Sequence, residues 1–163
     1  MQLVKVEHKN QIERTARLAK EIWKEYYLAI ITQEQIDYML DTGQSPEAIE
    51  NQLREGMEYY LALEGDEEIG YLAYAAEEDS SLFLSKIYIT KEFRSRGKGR
   101  EMFAFILGQA QERNLKTIRL TVNKNNRASI DKYLKMGFTI ADAVKNDIGS
   151  GFYMDDYVME YVR

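Results

Sequence analysis

A run of basic, glycine-bearing loop between an apolar strand pattern and a helix pattern constrains this chain most. The stretch Leu82–Gln109 reads LFLSKIYITKEFRSRGKGREMFAFILGQ. Its first eight residues are rich in β-branched and aromatic types, which predicts a strand. The loop Arg94-Ser95-Arg96-Gly97-Lys98-Gly99-Arg100 follows. Met102, Phe103, Phe105, Ile106 and Ala110 then recur at helical spacing. Strand, glycine loop and helix together present backbone N–H groups and a positive helix end to a phosphate. Four of the seven loop residues are cationic, so the loop reads as a pyrophosphate cradle.

The loop is neither of the two commonest phosphate motifs. A hydroxyl residue is missing after Gly97-Lys98-Gly99, where a P-loop places one for magnesium. Met102 stands where the dinucleotide fingerprint has its third small residue.

Composition narrows the chemistry. The 163 residues fit one domain, 1–163, and contain no cysteine and one histidine, His8. That excludes a thiolate nucleophile and a disulfide framework, and disfavours a histidine triad; no metal is expected, and His8 reads as an exposed strand-end residue. No apolar run reaches membrane-spanning length and no signal-peptide pattern opens the chain, so a cytoplasmic protein without membrane contact is expected. The net charge is −5 but unevenly spread. Glu55–Asp79 holds nine acidic residues and no basic one, whereas Lys86–Arg100 holds six basic residues and one acid. This suits an anionic cofactor on one side and a cationic substrate on the other. Net acidity argues against a nucleic-acid partner through Arg94–Arg100.

In chain order, Gln2–Glu7 alternates as a strand, and Asn10 with Glu13 suggests a helix cap. A helix with Ile22, Trp23, Tyr26 and Tyr27 follows, then one capped by Thr32 and ended by Gly43, then a short one opening at Ser45-Pro46. Met57–Leu63 and Glu68–Ala76 form a hairpin around Glu64–Glu67, with Gly70 a candidate bulge. Strands are expected at Thr117–Val122, Phe138–Val144 and Phe152–Val162, with a turn at Asp147–Gly151. The last strand pairs either within the chain or with a second copy, leaving a homodimer open.

Arg94-x-x-Gly97-x-Gly99 after a strand resembles the acetyl-CoA-binding motif of the GCN5-related N-acetyltransferase (GNAT) family. A second stretch agrees: Asn126, Ser129, Tyr133, Gly137 and Phe138 fill the positions of that family's second signature. Ile22–Tyr27 and Met154–Glu160 are similar to a bacterial branch that includes polyamine acetyltransferases.

The resemblance implies an α/β (α+β) GNAT fold: a mixed sheet of six to seven strands with helices on both faces. It implies direct acetyl transfer from acetyl-CoA to a primary amine of a small molecule, polyamine-like by the acidic run, or of a peptide, in a ternary complex. Cofactor contacts fall to Ile87, Tyr88, Ile89, the loop Arg94, Ser95, Arg96, Gly97, Lys98, Gly99 and Arg100, and to Asn126, Ser129 and Tyr133. The backbone N–H of Ile87 or Tyr88 polarises the carbonyl, and Tyr133 protonates the departing thiolate. The acceptor ammonium needs a base, for which Glu25, Glu77, Glu78, Asp155 and Asp156 are candidates. Tyr26 and Tyr27 are candidates for the acceptor pocket. A non-catalytic acyl-CoA-binding regulatory module on the same fold is the alternative.

Overall fold

Alternating apolar residues in three successive segments zip into an antiparallel set. They are β2 (Glu58–Glu64), β3 (Glu67–Ala76) and β4 (Ser81–Ile89) in a computed structural model that describes residues 1–163. β1 (Gln2–Lys5) extends the set beside β2. The chain then passes through α4 (Lys98–Glu112) to β5 (Thr117–Asn123), which lies parallel to β4. After α5 (Arg127–Met136), β6 (Thr139–Gly149) and β7 (Phe152–Val162) form a hairpin. β7 inserts beside β5, giving the seven-strand order β1-β2-β3-β4-β5-β7-β6. Both edges of β7 are therefore occupied within the chain, and the free edges belong to β1 and β6.

Two apolar layers cover the sheet. Met102, Phe103, Ile106 and Ala110 of α4 and Ile130 of α5 pack with Leu82, Leu84, Ile118 and Leu120 on one face. On the other, α1 (Lys9–Tyr26), α2 (Gln33–Gly43) and α3 (Pro46–Arg54) bury Ile22, Trp23, Ile36 and Ile49 against Tyr59, Leu61 and Tyr71. Burial of such side chains contributes about 1.5–3 kcal/mol each before conformational entropy is subtracted. Thr32 and Ser45 cap α2 and α3, accepting from the N–H groups of Gln35 and Ala48, each at 3.2 Å.

Four local expectations change. α1 starts at Lys9, not at an Asn10 cap, because the Gln11 amide oxygen reaches back to the N–H groups of Glu7 and His8 at 2.7 and 2.9 Å. The bulge between β2 and β3 falls on Ile69, since Ala62 pairs with Gly70 and Leu63 with Glu68. Gly70 is small for another reason: a Cβ there would lie 2.2 Å from the carbonyl oxygen of Tyr88. β6 runs to Gly149 because β7 offers it a partner along its whole length, so Asp147 and Ile148 stay in the strand and the turn shrinks to Ser150-Gly151.

Candidate active site

The site begins where two strands part. β4 pairs with β5 only over Ser81–Phe83. Just beyond, Ser85 is an unpaired bulge, since Tyr74 pairs with Leu84 and Ala73 with Lys86. From there β4 keeps β3 as its neighbour while β5 keeps β7. The phase of the ladder decides which β4 groups face the opening. The Thr90 N–H donates to the Ile69 carbonyl at 2.8 Å. Antiparallel pairs alternate, so Tyr88 bonds toward Tyr71 of β3, and the backbone groups of Ile87 and Ile89 point the other way. The Arg94 Nε, donating to the Ile89 carbonyl at 2.9 Å, approaches from that side. Of the two backbone donors named from sequence, Ile87 turns to the cleft and Tyr88 to the sheet.

The loop after β4 is shaped by two left-handed residues, Ser95 (φ 63°) and Gly97 (φ 80°). Gly97 is the N-cap of α4, and no side chain caps the helix. The first helical bond runs from the Glu101 N–H to the Gly97 carbonyl, so the N–H groups of Lys98, Gly99 and Arg100 lack helical acceptors. A Cβ on Gly97 would meet nothing within 4 Å, so the mouth of the loop is open. The residues thus fit a phosphate held by backbone donors at a positive helix end.

The loop's cations are arranged less simply. Arg94 pairs with Glu25 at 2.6 Å and lies 5.0 Å from the Tyr26 ring. Lys98 turns toward Glu64 at 3.2 Å, and that carboxylate raises its pKa. Arg96 rests 5.2 Å from the Phe93 ring, and Arg100 is exposed.

A cavity of about 460 Å³ extends from this loop along the opening. Trp23, Tyr26 and Tyr27 at the end of α1 form one wall. α2 and the β6–β7 hairpin close over it, tied by Tyr38 donating to the Ile148 carbonyl at 2.6 Å and Gln35 donating to the Tyr153 carbonyl at 2.9 Å. α5 closes the far side. Asn126 caps that helix through the Ser129 N–H at 3.3 Å and accepts from the Tyr26 hydroxyl at 2.8 Å. The Ser129 hydroxyl also lies 2.8 Å from the Tyr26 hydroxyl. Tyr133 reaches the cleft beneath, its ring 5.3 Å from Phe138. Burial raises the Tyr133 phenol above its ordinary value, so it stays protonated through neutral pH. The Tyr27 and Tyr88 hydroxyls lie 2.8 Å apart, and burial pushes Tyr27 up to about 12.

Among the residues lining the cleft, one is a carboxylate: Asp156 of β7. It is 3% exposed and its Oδ1 has no hydrogen-bond partner. Burial, reinforced by Asp155, pushes it up to about 6, against the pull of Lys124. A lysine, Lys86 of β4, also lines the cleft. Its Nζ donates to the Ser85 hydroxyl at 2.8 Å, and burial pushes it down to about 8. Sequence reasoning counted Lys86 only as charge; its strand position three residues past Phe83 became informative once the strands were seen to part there.

The other acidic candidates stand elsewhere. Glu25 is engaged by Arg94, Asp155 by Lys124 at 3.0 Å, and Glu77 faces Arg119 at 4.0 Å outside the cleft. None of the acidic run Glu55–Asp79 lines the cleft. Glu58, Glu64, Glu68 and Asp79 are paired with Arg113, Lys98, Arg14 and Arg119 along the outer parts of the sheet. These four carboxylates serve ion pairs at the periphery, and the acidic run offers no cation-binding wall to the cleft. No group of three or more His, Asp or Glu side chains gathers as a metal site, and no helix is long and apolar enough to cross a membrane.

Residues 16–138 match the sequence profile of the acetyltransferase (GNAT) family. The PaiA N-acetyltransferase of Thermoplasma acidophilum, solved in complex with coenzyme A, superposes with a TM-score of 0.83 at 20% identity, over 100% of both chains. Ribosomal-protein-alanine N-acetyltransferase from Brucella melitensis gives 0.70 at 20% identity, also over 100% of both. A GNAT family acetyltransferase of Elizabethkingia anophelis with acetyl-CoA bound gives 0.62 at 21% identity, over 73% of this chain and 84% of that one. At these identities the three structures establish the likeness of fold.

Proposed function

The chain belongs to the acetyltransferase (GNAT) family, and from that premise we propose that it transfers acetyl directly from acetyl-CoA to a primary amine of a small molecule or peptide, in a ternary complex. The observation that carries this reading is the parting of β4 from β5, which opens the Ile87 N–H into the cleft that holds Asp156 and Tyr133. Bound acetyl-CoA supplies the acetyl thioester. The N–H groups at the start of α4 hold its pyrophosphate, and the exposed Arg96 and Arg100 add positive charge beside them. Asn126 and Ser129 act through Tyr26, fixing the wall that the cofactor passes.

An alkyl ammonium has a pKa of about 10.4 and is almost wholly protonated at pH 7. Asp156 takes its proton, directly or through a water, and its raised pKa brings it nearer that of a working base. The freed amine attacks the carbonyl carbon, and the Ile87 N–H stabilises charge on the carbonyl oxygen. The C–N bond forms, the C–S bond breaks, the nitrogen sheds its second proton to solvent, and Tyr133 donates a hydrogen bond to the departing sulfur. A thiol has a pKa of about 8.5, below that of this phenol. Tyr133 is therefore a persistent hydrogen-bond donor to the thiolate, and any proton it passes to the sulfur is replaced by the one the nitrogen releases. With no cysteine in the chain, direct transfer is expected rather than a thioester on the enzyme.

The test is coenzyme A release from acetyl-CoA across a panel of amines. Release that depends on an amine and drops in Asp156→Asn supports the reading. Tight acetyl-CoA binding without release for any amine supports the regulatory alternative instead.

A further inference from the structure

Two charges inside the cleft lack an ionic partner. Asp156 is one. The other is Lys86, which has no carboxylate within 4.0 Å and makes one hydrogen bond, to a neutral serine hydroxyl. Arg94, which also lines the cleft, is already paired with Glu25, and Lys132 lies exposed. Asp156 is buried and Lys86 half-buried, and a charge drawn out of water is costly unless it is paired. Lys86 lies 5.9 Å from the centre of the Tyr59 ring, a contact that holds the ammonium weakly. Nothing else in the chain compensates it.

Its position gives this charge a direction. Lys86 is on the same face of β4 as Tyr88, two residues on, whose hydroxyl meets Tyr27 at 2.8 Å. It therefore shares the aromatic side of the cleft, with Trp23 and Tyr27, rather than the side of Ile87 and Ile89 that packs toward α4. It stands at the apex of the opening, at the far end from the Gly97 loop, with Gln44 of the α2 end also lining the wall. A polycation entering here would meet a cation at the apex and a single carboxylate. An amine that also bears a carboxylate would pair with both unmatched groups and lay its body against the aromatic wall.

We propose that the acceptor is an amino-acid-like amine, its carboxylate held by Lys86 at the apex of the cleft while its amine faces Asp156. This rests on the transferase reading for the role of the amine, but the carboxylate contact stands on Lys86 alone. The pair of groups selects zwitterions over both plain amines and plain acids.

Matched compounds test it: phenylalanine against phenethylamine, and lysine against cadaverine. Binding is measured calorimetrically to the protein saturated with coenzyme A, and turnover by coenzyme A release. The expected result is a preference of about ten-fold or more for the carboxylate-bearing member of a pair. Lys86→Met should collapse that preference, with undiminished coenzyme A affinity showing that the variant is folded. Lys86→Arg should restore most of it. Equal or weaker binding of the carboxylate-bearing members, or a preference that survives in Lys86→Met, overturns the proposal. The two readings fail separately. Preferential binding without acetyl transfer leaves the Lys86 contact standing and removes the transferase reading. Transfer to phenethylamine and cadaverine in preference to the amino acids does the reverse.

Discussion

Glu58 and Asp156 are carboxylates on strands of one sheet, and their surroundings treat them oppositely. Glu58, at the outer end of β2, accepts from Arg113 at 2.9 Å and has Lys5 at 3.6 Å. Asp156, on β7 facing the cleft, is 3% exposed and leaves Oδ1 unpaired. The hydrogen bond from Arg113 lowers the pKa of Glu58, while burial raises that of Asp156 to about 6. The same contrast runs through the cations: Arg119 meets Glu77, Asp79 and Glu160 outside, whereas Lys86 inside meets none. Charges at the periphery are matched for solubility and register. Asp156 and Lys86 in the cleft are unmatched, and a group left unmatched at such expense points to a ligand that completes it.

The largest effect comes from adding an unmatched charge where an anion is to be held. Gly97→Glu places a carboxylate at the open mouth of the loop, on a residue whose φ of 80° already disfavours a side chain. Acetyl-CoA binding should fall below detection by calorimetry, with the fold retained by circular dichroism. Unchanged affinity would remove the cradle from the site.

Next in size, Asp156→Asn keeps the shape and removes the base. We expect kcat/KM to fall about 10²–10⁴-fold, the usual range for a general base, with acetyl-CoA affinity little changed. In the unsubstituted protein, kcat/KM should show an acid limb centred at about pH 6, and Asp156→Asn should lose it. Retention of that limb in Asp156→Asn would assign it to another group. The equivalent change outside, Glu58→Gln, should leave kcat/KM where it was. Tyr133→Phe is smaller again: turnover falls about ten-fold or more while cofactor affinity stays within a few fold. Turnover at the original rate would limit Tyr133 to packing against Phe138.

Much of this frame was legible in the chain. The glycine loop and its helix, the Asn126 cap and the Gly137 stop all depend on residues within one or two turns of each other, and local chemistry specifies them. The unmatched pair was not legible. Asp155 and Asp156 are neighbours in a strand, so alternation puts them on opposite faces, but only the pairing with β5 and β6 says which face is the cleft. Lys86 sits in an otherwise ordinary strand pattern. Its place in the cleft follows from the β4–β5 divergence at Phe83, a tertiary event with no local signal. The acidic run misled for the complementary reason: its arginine and lysine partners lie far along the sequence, at Arg14, Lys98, Arg113 and Arg119.

The subtlest consequence lies in stability against pH, where the two carboxylates should pull in opposite directions. For Glu58 the folded pKa lies below the unfolded one, so its stabilisation is present above the unfolded value and fades as pH falls through the folded value. For Asp156 the folded pKa of about 6 lies above the ordinary 3.8. Between those two values the folded chain binds the extra proton, so the contribution of Asp156 falls as pH rises from about 4 to 6 and stays unfavourable above that. Asp156→Asn should therefore stabilise the protein at pH 7 by about 1 kcal/mol, allowing for partial solvent screening, and by nothing at pH 4. Glu58→Gln should destabilise it by about 0.5 kcal/mol at pH 7, with the difference vanishing at low pH. Urea unfolding of the two variants and the parent at pH 4, 5, 6 and 7 gives both slopes. Slopes of the same sign would mean that Asp156 is matched by a partner in solution, and the distinction between periphery and cleft would then fail at its most important residue.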